Sequence, residues 1–143
     1  MRLRLVLVGL LVLTACGNQG NVFSLEPGTC FDDIDAFFDD DSEGVSDVPT
    51  VDCAEPHDNE VFATYDLPDG DFPGQEAIAT EAEEECIERF EDYVGIAYPE
   101  SRFISTYLIP TAQGWEGGDR EVVCFLYDID LAKIEGSAEG LAE

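Results

Sequence analysis

The sequence predicts an α+β domain, with one amphipathic helix packed on a small antiparallel sheet and two disulfides stapling the layers. Three observations carry this expectation. Between residues 75 and 94, Ile78, Ala82, Cys86, Phe90 and Val94 fall four apart, with Ala79, Ile87 and Tyr93 beside them, which is an apolar stripe at helical period. Residues 60–67, 102–109 and 120–129 are short runs rich in β-branched and aromatic side chains, bounded by turn-forming residues. Four cysteines, Cys30, Cys53, Cys86 and Cys124, are spread through the same region.

The elements follow in order. VPTVDC reads as a short strand ending at Cys53, and AEPHDN is a turn favoured by Pro56 and the Asp-Asn pair. EVFATYDL alternates, placing Val61, Ala63, Tyr65 and Leu67 on one face. PDGDFPG is a loop. The helix over 75–94 turns Glu76, Glu81, Glu84, Glu85, Glu88 and Asp92 away from its apolar stripe, and Gly95 occupies the stop position. RFISTYLI is a strand, PTAQGWEGGD its connection, and REVVCFLYDI the returning strand. These elements define a domain over residues 28–129. Residues 130–143, with LAKIEGSAEGLAE, read as a flexible, frayed tail.

The start of the chain has a different character. MRLR is basic, and LVLVGLLVL at residues 5–13 is apolar. Small residues then precede Cys16, the pattern of a secretory signal. A membrane-spanning helix needs about 20 residues, so this run is too short for a permanent span. LTAC resembles the lipobox of bacterial lipoproteins. That resemblance implies export, removal of residues 1–15 and acylation of Cys16, with several acyl chains giving a stable anchor. Residues 16–27 read as a lipid-anchored tether.

The chain carries 33 acidic residues. Without residues 1–15 the basic residues are Arg89, Arg102, Arg120 and Lys133, so the formal charge of the mature chain is 4 minus 33, or −29. Nucleic acid is excluded as a partner, because phosphate binding needs basic patches. Anionic lipid surfaces repel such a body. FDDIDAFFDDDSEGVSDV, residues 31–48, concentrates eight acids. Asp39, Asp41, Glu43 and Gly44 imitate the opening of an EF-hand loop, but its closing bidentate Glu is replaced by Thr50, so the motif fails. What remains is a solvated acidic loop, with Ile34, Phe37 and Phe38 as an apolar contact point. Its alternative use is weak divalent-cation binding.

Four cysteines in an exported domain read as two disulfides. Cys86 lies on the inner stripe of the helix. Cys124 alternates with Val122 and Leu126 on one face of the last strand, so Cys86 and Cys124 can meet, leaving Cys30 to pair with Cys53. The helix must then come within the ~5.5 Å Cα separation that a disulfide prefers. His57, the only histidine, lies four residues after Cys53 and is followed by Asp58 and Glu60. A zinc site of Cys53, His57, Cys86 and Cys124 lacks the second closely spaced ligand pair. No GxSxG motif surrounds a serine, and no free cysteine is expected as a nucleophile. His57, Asp58 and Glu60 therefore read as a structural turn leading into the 60–67 strand. No cofactor or metal is expected.

With Gly28, Cys30, Val48-Pro49, Cys53, Pro56-His57-Asp58 and Glu60-Val61 in place, the chain resembles the septum-formation domain of bacterial envelope proteins. Pro73-Gly74, Cys86, Phe90, Gly95, Pro110-Thr111, Trp115, Gly118-Asp119-Arg120 and Cys124 continue the resemblance. It covers about residues 28–127. It implies an extracytoplasmic α+β domain associated by name with cell division, and it assigns no catalytic residues. The acidic loop and the lipid anchor depart from relatives that carry a membrane helix.

Two further residues stand out. Trp115 in GWEGGDR is an aromatic among glycines, suited either to stacking on a partner or to folding back over the core. Arg120 is expected in an ion pair with Asp119 or a neighbour. The functional expectation is a non-catalytic binding or scaffold module at the outer face of the cell membrane. Its expected partner is an envelope protein with a basic patch, met through Trp115, Phe37 or Phe38. The alternative is a cell-wall enzyme using paired carboxylates. The lipid anchor is directly testable. Cys16→Ser should leave the protein unacylated and move it from the membrane fraction to the aqueous one; retention in the membrane as in wild type contradicts the anchor.

Overall fold

The computed structural model describes residues 19–37 and 44–143. The expected signal at 1–15, the lipidation site Cys16, Phe38 and the acids Asp39, Asp40, Asp41 and Glu43 lie outside the described residues. Six strands run β1 (Gln19–Asn21), β2 (Cys30–Phe31), β3 (Asp47–Val51), β4 (Asn59–Asp66), β5 (Phe103–Leu108) and β6 (Glu121–Asp128). Two helices join them, α1 (Gln75–Val94) and the short α2 (Ala112–Glu116). The sheet is antiparallel at every pairing, in the order β1-β3-β2-β4-β6-β5. The architecture is the α+β arrangement that the periodicities predict.

Helix α1 forms because its apolar residues keep one face. Ile78, Ala82, Cys86, Phe90 and Val94 are all buried. Gly95 ends the helix at φ 87°, a left-handed conformation that glycine adopts without strain, and its N–H donates to the Glu91 carbonyl. The buried face packs on Phe62, Ala63, Val122, Cys124, Leu126 and Phe103. The Cys86–Cys124 bridge joins the two layers at a Cα separation of 5.5 Å, the close approach the pairing requires. Cys30–Cys53 closes the other loop at 5.3 Å. At sequence separations of 38 and 23, each bridge contributes about 3 to 4 kcal/mol by restricting the unfolded chain.

The opposite face of the sheet is also covered, because the sheet curls on itself. Val22, Leu25, Phe31, Val48, Val61, Val123 and Phe125 form a second buried cluster inside the curl, with Phe37, Val45 and Leu108 against it. This corrects the alternation expected in β4. A bulge between Val61 and Ala63 adds one residue to the strand. Val61 consequently faces the inner cluster, while Phe62, Ala63, Tyr65 and Leu67 face the helix.

Both ends of the domain differ from expectation. Within the expected tether, Gln19–Asn21 pairs with β3, and Val22 and Leu25 are buried. The expected frayed tail is laid down along the domain. Ile134 and Ala138 are buried, and Ile134 exchanges main-chain hydrogen bonds with His57. Gly136 donates to Cys53, Gly140 to Tyr93 and Ala142 to Val94, so the tail crosses the end of α1. Burial of two apolar side chains and this row of bonds outweigh the flexibility its glycines and polar residues suggest. Among the described residues no helix is long and apolar enough to cross a membrane.

Candidate functional site

The residues singled out in the sequence fall into three places. The first surrounds His57, Asp58 and Glu60. Glu60 is fully buried on β4, between Cys30 of β2 and Leu126 of β6. A buried carboxylate is costly unless hydrogen bonds replace its water. The hydroxyls of Tyr93 and Ser137 each donate to its Oε1 at 2.6 Å, and the Ala138 N–H donates to Oε2 at 2.7 Å. Burial, and then the hydrogen bond to Glu60, push the Tyr93 phenol above its usual pKa, so it keeps the proton it donates. His57 is equally buried, with Nε2 3.8 Å from Glu60 Oε2 and Nδ1 2.8 Å from the Glu55 carbonyl oxygen.

Asp58 has a separate task. It accepts the Asp33 N–H at 3.0 Å and lies 2.8 Å from Lys133 Nζ, which also reaches Asp32 at 2.7 Å. Partial burial raises the Asp58 carboxyl, but the bonds from Lys133 and the Asp33 amide outweigh it and hold the group below its usual 3.8. The same bonds to Asp32 and Asp58 raise Lys133. Asn59 extends the network by donating to Asp33 Oδ1 at 2.8 Å.

A metal ligand set is present here in outline. Among the described residues, Cys30, His57 and Glu60 bring ligand atoms within 4.8 Å of one another. This differs from the zinc set weighed from the sequence, since Cys86 and Cys124 form their own bridge. Cys30 is bonded to Cys53, so its sulfur is not a thiolate, the form that binds metal.

The second place holds Trp115 and Arg120. The Trp115 ring is buried in contact with Phe72, and its Nε1 donates to the Gly70 carbonyl at 2.9 Å. It is not an exposed stacking platform. The Arg120 guanidinium lies 3.7 Å above this ring and donates through Nη1 to the carbonyls of Trp115 and Asp119. Its ion pair is with Asp69 at 3.5 Å, while the Asp119 side chain accepts the Glu121 N–H. Arg120 and Trp115 thus close the corner between α2 and β6.

The third place contains Phe37. It is half-buried rather than free, stacked on Phe125 at 6.0 Å and edge-on to Phe31 at 6.3 Å. It borders a cleft of about 360 Å³ whose apolar walls include Phe125, Tyr127, Leu108 and Leu131, with Asp33, Asp58 and the buried Asp128 also lining it. A second cleft of about 290 Å³ lies between Val22, Val45 and Ser46 on one side and Leu108, Ile109, Asp119 and Glu121 on the other.

Tyr93, Lys133, Ser137 and Ala138 were not singled out in the sequence. Their roles arise from contacts distant in the chain: Tyr93 reaches Glu60 from α1, Ser137 and Ala138 reach it from the tail, 77 residues away in the case of Ser137, and Lys133 reaches Asp32 and Asp58. A disulfide-stapled α+β domain, closed by its own C-terminal segment over a buried acid, is the class these features define. Residues 27–141 match the family profile described as Septum formation, and the chain belongs to the septum-formation family. That membership points to a role in cell division or the cell envelope. No curated protein and no solved structure matches the chain.

A structural role for His57 is the expectation that its full burial and its bond to the Glu55 carbonyl support. His57→Ala should destabilise the domain by about 1–3 kcal/mol by emptying a buried, bonded position. Thermal melts should show a fall of several degrees, with metal content unchanged. An unaltered melting temperature would contradict this role.

Proposed function

We propose that the protein is a non-catalytic binding or scaffold module, lipid-anchored through Cys16 at the extracytoplasmic face of the cell membrane. On this reading it serves cell division or the envelope by engaging a protein with a basic patch. One observation carries the reading. Each of the four basic residues outside the expected signal is already paired within the domain. Arg89 pairs with Glu85, Arg102 with Asp128 and Glu143, Arg120 with Asp69, and Lys133 with Asp32 and Asp58. With 33 acids in the chain, the exterior presents negative charge that the domain does not neutralise.

Such a field draws basic surfaces into encounter and turns away anionic lipids and polymers. Charge alone supplies little specificity, so the apolar walls beside Phe37 and Phe125 are the complementary feature. The deeply buried acid Glu60 is committed to holding the tail, which favours a recognition role over acid–base chemistry at that position.

Affinity capture from intact cells tests this reading. Captured partners should carry basic surface, and their association rate should drop as salt rises toward about 0.5 M, where the screening length is about 4 Å. Partners without basic surface, captured at rates indifferent to salt, would falsify it.

A further inference from the structure

We propose that the outer edge of β5 is a docking strand, to which a partner adds an extended, basic segment as a seventh strand. This rests on the reading of the protein as a module for basic partners, and it names the surface and the form the partner takes. Among the described residues, strand β5 stands at the end of the sheet order and pairs with β6 alone. An edge strand offers a row of main-chain donors and acceptors to any strand that approaches. Proteins usually blunt such an edge with charge, proline or brevity. The stretch Phe103–Ile109 has no charged residue and no proline, in a chain that is 27% charged. It is rich in the β-branched and aromatic residues that pair well.

The hydrogen-bond phase shows which groups are free. The Ile129 N–H donates to the Arg102 carbonyl at 3.0 Å, and Phe103 lies opposite Asp128. Arg102 therefore turns its main chain toward β6. By the antiparallel alternation, Ile104, Thr106 and Leu108 do the same, while Phe103, Ser105 and Tyr107 turn theirs outward. The Phe103 N–H is capped by Ser101 Oγ at 3.0 Å, as an outward group needs. The outward N–H and C=O groups of Ser105 and Tyr107 make no hydrogen bond with any other described segment. They form a ready acceptor–donor pair for an incoming strand.

Charge selects the occupant. A second copy of the mature chain would bring another formal −29 against the edge. A cationic segment meets acids at both ends of β5. Asp33, together with the largely buried Asp128 that pairs with Arg102, lines the cleft that Thr106, Tyr107 and Leu108 help to form. Asp119 and Glu121 line the cleft below Leu108 and Ile109. Glu121 is held above its usual pKa by burial and by the neighbouring Asp66 and Asp119, a crowding that an incoming cation relieves.

The probe is a synthetic peptide of alternating lysine and valine, compared with its fully N-methylated counterpart of equal charge. Affinity is measured by titration, and exchange of the Ser105 and Tyr107 amides is followed by NMR. The unmodified peptide should bind about tenfold or more tightly than the N-methylated one, since strand addition needs its N–H groups. It should also slow exchange of both amides. Equal affinities with no new protection would overturn the docking strand and leave the basic-partner reading standing. Binding by neither peptide would sink both. A dimer whose Ser105 and Tyr107 amides are protected before peptide is added would assign the edge to a second copy and overturn the proposal.

Discussion

The carboxylate of Glu60 is the contact on which the rest of this structure depends. It is fully buried on β4, and a buried charge is tolerated only when its hydrogen-bonding capacity is filled. The groups that fill it come from distant parts of the chain, Tyr93 near the end of α1 and Ser137 and Ala138 in the C-terminal segment. Loss of any one of the three leaves the buried carboxyl group short of a hydrogen bond that water does not replace. The helix end, the central strand and the tail are thereby required together. The neighbouring Cys30–Cys53 bridge and the His57–Ile134 main-chain pair fasten the same region from its other side.

This constraint also explains why an acidic chain can spend one of its carboxylates in the core. The two disulfides restrict the unfolded state, and the tail adds buried area at Ile134 and Ala138. Apart from Glu60 and Asp128, which pairs with Arg102, the acids among the described residues keep access to water, where salt softens their repulsion. The domain therefore separates two uses of one residue type. Glu60 organises the interior, and the outer acids set the field that a partner meets.

Much of the architecture was legible because it is periodic and local. The four-residue spacing from Ile78 to Val94 defines both the helix and its buried face. The alternation of Val122, Cys124 and Leu126 points Cys124 at Cys86, so the bridge could be inferred before any coordinates. The bulge after Val61 was not legible, since one extra residue in a strand leaves the apolar pattern of EVFATYDL intact. The strap at 130–143 was illegible for a different reason. Its sequence is polar and glycine-containing, and its order comes from pairing with His57, Glu60 and Tyr93 far away in the chain. Trp115 carried two readings because a glycine-rich flank is compatible with either; contact with Phe72, Gly70 and Arg120 places it inside. The open edge at β5 had a visible sign, an uncharged stretch in a highly charged chain, but the sign acquires meaning only once β5 is known to end the sheet.

The most direct test of this account is native-state hydrogen exchange of wild type against Glu60→Ala, read at the amides of Gly136, Ala138, Gly140 and Ala142. Those amides donate to Cys53, Glu60, Tyr93 and Val94 in the folded domain. If Glu60 holds the strap, the substitution strips protection from all four before the β4–β6 ladder loses it. If the four amides stay as protected as in wild type, the strap is held by its other contacts, and the central role given to Glu60 is wrong.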